Sequence, residues 1–162
     1  MSQIAKRLAA LGVAGSLALS GAMIATHEGY VPGTYVDPVG IITACFGHTS
    51  KDLKLGTAIS EQQCLELFAK DLVSHNKQLL SAVTVPLSEQ EHAAYLSFHY
   101  NVGSGNFKTS TLLRLLNAGY RVEACEQLAR WVYANSIKLN GLVARRAHER
   151  ELCLAGAAND NK

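Results

Sequence analysis

Residues 26–49 read THEGYVPGTYVDPVGIITACFGHT, and the order of residue types in this stretch decides the architecture. Gly29, Pro32, Gly33, Pro38 and Gly40 break any helix, while Tyr35, Val36, Ile41, Ile42 and Thr43 favour short strands. Asp37-Pro38-Val39-Gly40 has Asp first, Pro second and Gly fourth, a type I turn pattern, so a hairpin is expected to reverse there. Glu28, Asp37 and Thr43 fall inside the same stretch. The breaks between them exclude a shared helix face, so the two carboxylates and the hydroxyl can meet only if the chain folds back.

Glycoside hydrolysis asks for such a set: a proton donor for the leaving oxygen, a second carboxylate, and often a group that positions water. Glu28 follows a long apolar run that is expected to desolvate it, raise its pKa and make it the acid, whereas Asp37 beside a solvated turn is expected to stay ionised. Spacing alone favours a plainer reading, in which both are surface acids and Thr43 is an ordinary strand residue.

Downstream the periodicity turns helical. Ser60-x-x-Gln63 is a capping box opening a helix through Cys64, Leu67, Phe68, Leu72 and Leu79 that ends before Pro86. Ser88-x-x-Glu91 opens a second, with Ala94, Tyr95 and Phe98, expected to stop at Gly103-Ser104-Gly105. Thr109 or Ser110 caps a third that Gly119 ends, further helices cover about 122–131 and 142–154, and the polar tail from Ala155 to Lys162 is expected to fray. The pattern is α+β: a short N-terminal β-hairpin lobe against a larger helical lobe, with a cleft between them.

Upstream, Lys6-Arg7 precedes nineteen uncharged residues, Leu8 to Thr26. As one helix this run is about 28 Å long, close to a hydrocarbon core. The basic flank would hold its start in the cytoplasm and send the remainder outward. Eleven of the nineteen residues are Gly, Ala or Ser, so any anchor is weak. Three readings stay open: a signal peptide cleaved near Ser20-Gly21-Ala22, a marginal anchor able to leave the bilayer, and a buried core helix.

A net charge of +2 without Lys/Arg clusters interleaved with aromatics argues against nucleic-acid binding. The four cysteines lack metal-finger spacing, so neither a metal nor any other cofactor is expected, and the Gly-rich stretch at Gly103 lacks the Lys-Ser/Thr of a phosphate loop. Four cysteines allow three pairings; Cys45–Cys64 with Cys125–Cys153 is our choice, against four buried free thiols.

Glu28-x8-Asp37-x5-Thr43 followed by Gly47-His48-Thr49 resembles the catalytic signature of the phage-type lysozymes, or endolysins. Tyr100-Asn101-Val102-Gly103, Phe107, Arg130-Trp131 and Gly141-Leu142-x-x-Arg145-Arg146 resemble later family blocks in order. The resemblance implies a lysozyme-like fold and a monomer acting on the β-1,4 bonds of peptidoglycan glycan strands. It implies Glu28 as general acid, Asp37 as second carboxylate and Thr43 near the attacking water, with Tyr100, Asn101 and His48 as substrate contacts. His48 has an alternative role as ion-pair partner of Asp71, which we favour.

Arg145 and Arg146 could serve as charge partners near the carboxylates, but their run with Glu149, Arg150 and Glu151 reads more simply as a solvated helix face, and Trp131 as core. The apolar run further resembles the signal-anchor-release subgroup. That implies residues 1–27 as an anchor segment and residues 28–162 as the catalytic domain. The enzyme would be exported to the host periplasm, idle while residues 8–26 sit in the inner membrane, and then released, with no cysteine before Cys45 to act as a thiol trigger. Competing functions are a lytic transglycosylase, a holin-like membrane-lesion protein and a non-catalytic wall-binding module.

Overall fold

The computed structural model describes residues 2–37 and 40–159. The nineteen-residue run is not one helix but parts of two, α1 (Gln3–Ala10) and α2 (Gly15–Glu28). Gly12, at φ +83°, makes the break, where its amide donates to the carbonyl of Ala9 and that of Val13 to Leu8. Leu8, Val13, Met23 and Ile24 are buried in the body, so the core-helix reading describes this form. Among the described residues no helix is long and apolar enough to cross a membrane. Gly21 fixes how closely the pieces approach, since a Cβ there would stand 2.4 Å from Leu8 Cδ1 and 2.9 Å from Leu72 Cδ1.

The β lobe is a three-stranded antiparallel sheet, β1 (Val31–Val36), β2 (Ile42–Cys45) and β3 (His48–Thr49), in sequence order. Val36 faces Ile42 and Tyr35 faces Thr43, so the chain reverses between them as expected. Asp37 frames the reversal: its amide donates to Ile41 O at 2.9 Å, and its Oδ1 accepts from the Ile41 amide at 2.8 Å. The turn type rests on Pro38 and Val39, which lie outside the described residues.

Both capping boxes form reciprocally, opening α3 (Glu61–Ala82) and α4 (Glu89–Thr109). The expected stop at Gly103 is a kink instead: Gly103 alone leaves helical geometry, at φ +79°, and the helix resumes to Thr109. Ser110 caps α5 (Thr111–Asn117), and Gly119 follows it at φ +87°. Then come α6 (Arg121–Gln127), a 3-10 turn Leu128–Arg130, and a small hairpin of β4 (Tyr133–Ala134) and β5 (Ile137–Lys138). The last helix, α7 (Asn140–Asn159), outruns its expected end at Leu154. Residues 155–159 do not fray, because Gly156 packs on the start of α4, where a Cβ would meet Ser88 Oγ at 2.4 Å. Residues 160–162 of the expected tail lie outside the described residues.

Helix α4 runs through the core, with Ala93, Ala94, Tyr95, Leu96 and Phe98 fully buried. Trp131 is only half-buried, its ring edge-on to Phe98 at 5.3 Å. Two disulfides fasten the body: Cys45–Cys64 ties β2 to α3, and Cys125–Cys153 ties α6 to α7.

Candidate active site

Glu28 is the last residue of α2, and Gly29 at φ +72° turns the chain into the β lobe directly after it. The carboxyl group rests against Gly47, where a Cβ would lie 3.4 Å from Glu28 Oε2 and a φ of +84° favours glycine. Asp37 closes the hairpin, and Thr43 on β2 is buried, its hydroxyl donating to Ile41 O at 3.2 Å. All three line one cleft of about 500 Å³ between the sheet and the helical body. The fold-back demanded by the Gly/Pro breaks therefore brings the trio to a common groove.

The surroundings of Glu28 differ from the expected apolar wrapping. Arg145 Nη1 donates to Glu28 Oε1 at 2.5 Å, so the side chain faces a guanidinium. This corrects the reading of Arg145 and Arg146 as solvated, for both are almost fully buried. Glu149, also fully buried, lies 3.2 Å from Arg145 Nε and 2.8 Å from Arg146 Nε, and accepts from Ser97 Oγ at 2.7 Å. Burial pushes the Glu149 carboxyl upward against the pull of both arginines, and lowers Arg146 to about 10. Arg146 also lies over the Phe98 ring at 5.0 Å and donates to Asn101 Oδ1 at 3.0 Å. The network thus orients Glu28 from one end and Asn101 from the other. Only the outer members of the charge run, Arg150 and Glu151, face solvent.

Tyr100 and Asn101 line the cleft, as expected. The Tyr100 hydroxyl donates to Phe46 O at 3.0 Å, and burial, reinforced by the negative charges of Asp71 and Glu28, holds the phenol above its usual range. His48 is not among the lining residues; its Nδ1 sits 2.7 Å from Asp71 Oδ2, and Asp71 itself reaches the cleft. Two lining residues escaped the sequence reading. Tyr35 is raised by burial and then by the charges of Glu28 and Asp37; the two-residue period of a strand, which puts it on the face of Asp37, was the available signal. His75 lies one helical turn beyond Asp71, its Nδ1 2.9 Å from that of His99, and burial lowers both imidazoles, His99 to about 4. Among the described residues no group of three or more His, Cys, Asp or Glu side chains is placed to hold a metal.

Such a groove can present a proton donor and a carboxylate to one bond of an extended polar substrate. The chain matches the phage lysozyme family over residues 25–149. It is 41% identical to the SAR-endolysin of Enterobacteria phage PA-2 over 159 residues, 93% of this chain and 95% of that one. An endolysin from Escherichia coli O157:H7 phage FAHEc1 superposes with a TM-score of 0.76 at 27% identity, covering 84% of this chain and 90% of that one. The muramidase domain of SpmX from Asticaccaulis excentricus gives the same TM-score and identity over 83% and 94%. Sequence and fold agree, and the chain belongs to the phage lysozyme family.

Proposed function

We propose that the protein is an endolysin that hydrolyses the β-1,4 bond between N-acetylmuramic acid and N-acetylglucosamine in peptidoglycan, lysing the host cell. The observation that carries this is the convergence of Glu28, Asp37 and Thr43 on one cleft. Glu28 donates a proton to the glycosidic oxygen as the bond from the anomeric carbon breaks. Arg145 occupies Oε1, which leaves Oε2, beside Gly47, to carry that proton. Asp37 takes a proton from the water that attacks the anomeric carbon, and Thr43 holds that water. Tyr100 and Asn101 border the sugar, while the His48–Asp71 pair braces the sheet against α3.

Export and tethering belong to the same proposal. While residues 8–26 span the inner membrane, the body lacks Leu8 and Ile24 from its core, and Glu28 is held away from Arg145. Release lets α1 and α2 dock, which completes both the fold and the site. A charge-free run rich in Gly, Ala and Ser, together with the SAR-endolysin relatives, supports this reading. So does the absence of any cysteine from residues 1–44, which makes refolding of the N-terminus the trigger.

Glu28→Gln, exported beside wild type, is expected to lose wall clearing by about 10²–10⁴-fold with unchanged export. Retained clearing would overturn the assignment of the acid. Released glycans should end in reducing sugars; 1,6-anhydro ends would make the enzyme a transglycosylase.

A further inference from the structure

His27 on α2 and His148 on α7 lie 121 residues apart in sequence, yet their imidazoles meet edge to face with centroids 5.6 Å apart. His27 Nε2 and His148 Nδ1 are separated by 3.4 Å. That is long beside the about 2.7–3.2 Å of a good N–H···O bond, so the contact contributes little as a hydrogen bond. It does fit another geometry. Two nitrogens each about 2.05 Å from a tetrahedral ion stand about 3.4 Å apart. We propose that His27 Nε2 and His148 Nδ1 form a two-point site for a borderline-soft divalent ion of the zinc class, its remaining positions filled by solvent.

The chemistry of the donors selects the ion. Neutral imidazole suits zinc, copper and nickel, whereas magnesium demands oxygen ligands, and both rings of this pair offer only nitrogen. In the required tautomers the protons sit on His27 Nδ1 and His148 Nε2, away from the ion. Arg145 and Arg146 outweigh Glu28 at His27, so the imidazoles would hold a dication against local positive charge. His148 is exposed and His27 half-exposed, so an ion can enter from solvent.

One ligand comes from the N-terminal helix pair and the other from the body. The site therefore exists only while α2 is docked, and an ion bound there favours the docked form by mass action. That consequence rests on the tethering proposal; binding itself does not, and is tested on the soluble protein. Titration with Zn²⁺ in a calorimeter should give one ion per chain, and the thermal midpoint should rise by ~2–4 °C at about fivefold excess over Kd, with no rise in Mg²⁺. His148→Gln, an exposed change that spares the core, should abolish both signals, and His27→Gln should do the same. The ring resonances of these two histidines should shift with zinc while the other four stay in place. A silent wild type, or a zinc response kept in His148→Gln, overturns the site. An enzyme that proves never to be membrane-bound would remove the regulatory consequence and leave the binding result standing.

Discussion

Helices α2 and α4 pack on one another but are built differently. Helix α4 opens with the reciprocal Ser88/Glu91 cap and fills its core face with Tyr95, Leu96 and Phe98. Helix α2 has Ala14 at its N-cap and so no side-chain cap, and its core face includes Ala18, Ser20 and Gly21. Neither disulfide reaches residues 2–28. Local propensity therefore contributes little to α2, and its place depends on tertiary contacts. Beyond packing, those contacts include the Glu28–Arg145 pair, a 2.8 Å hydrogen bond between Ser16 Oγ and His92 Nδ1, and the meeting of the His27 and His148 rings. The contrast teaches that α4 is fixed by its own cap and core face, whereas α2 keeps its place through its neighbours, as the proposed release would require.

The largest test of that contrast removes the arginine that links the two. Arg145→Met strips the partner from Glu28 and leaves the buried Glu149 with one guanidinium fewer. Breaking a buried pair from one side costs about 3–5 kcal/mol, so denaturant unfolding should show a loss of this size, together with loss of wall clearing. Arg145→Lys keeps the charge without the fork and should recover part of the stability. A Met variant as stable and active as wild type would show that α2 does not depend on this link.

Next in size is Gly21→Leu. The side chain would enter the space already held by Leu8 and Leu72, and overpacking of this kind costs about 1–3 kcal/mol. The soluble enzyme should melt earlier and lose protection along α1 and α2 in hydrogen exchange before α4 is affected. Uniform loss across the molecule would mean that α2 and the body unfold as one unit.

Acidification should act on the same seam more gently. His92 bridges α2 and α3 through Ser16 and Asn76, and burial lowers its pKa. The sign follows: the unfolded imidazole binds its proton first as pH falls, so the contribution of His92 is complete above about pH 6.5 and declines from there toward its lower native value. Protection factors in α2, referred to the slower intrinsic exchange at each pH, should fall between neutral pH and pH 5, and His92→Gln should flatten that dependence.

Features set by neighbours in sequence were legible from sequence. The capping boxes at Ser60 and Ser88, the reversal at Asp37 and the stop at Gly119 are each decided within a few residues. The trio was legible because a fixed spacing with Gly/Pro breaks between its members carries the family signature. Several of the expectations that failed needed a distant partner. Arg145 and Arg146 look solvated until Glu28, 117 residues away, and Asn101 are brought to them. Gly156 extends α7 because it meets Ser88, and the break at Gly12 pays off only when Leu8 can fold onto Gly21. The β4–β5 hairpin has strands of two residues, too short to give a period, although Asn135 and Ser136 both adopt the positive φ of its turn.

The smallest effect on the protein in solution has the sharpest consequence for the proposed tether. Ala9, Ala10 and Ala14 lie on the outside of the docked N-terminal helices, exposed to solvent. Replacing all three by Leu adds apolar surface to the run of residues 8–26 without touching the core, and exposed substitutions of this sort usually change stability by less than about 0.5 kcal/mol each. In a bilayer the same atoms are favourable, at about 0.8 kcal/mol per buried CH₂, so a weak anchor becomes a firm one. The triple variant, refolded in solution, should melt and cleave like wild type. Expressed with export, it should remain in the membrane fraction and leave the wall intact. Gly21→Leu, by contrast, confounds the two effects, because it strengthens the anchor and obstructs docking at once. A triple variant released and lytic on the normal schedule would show that departure from the bilayer does not limit activation.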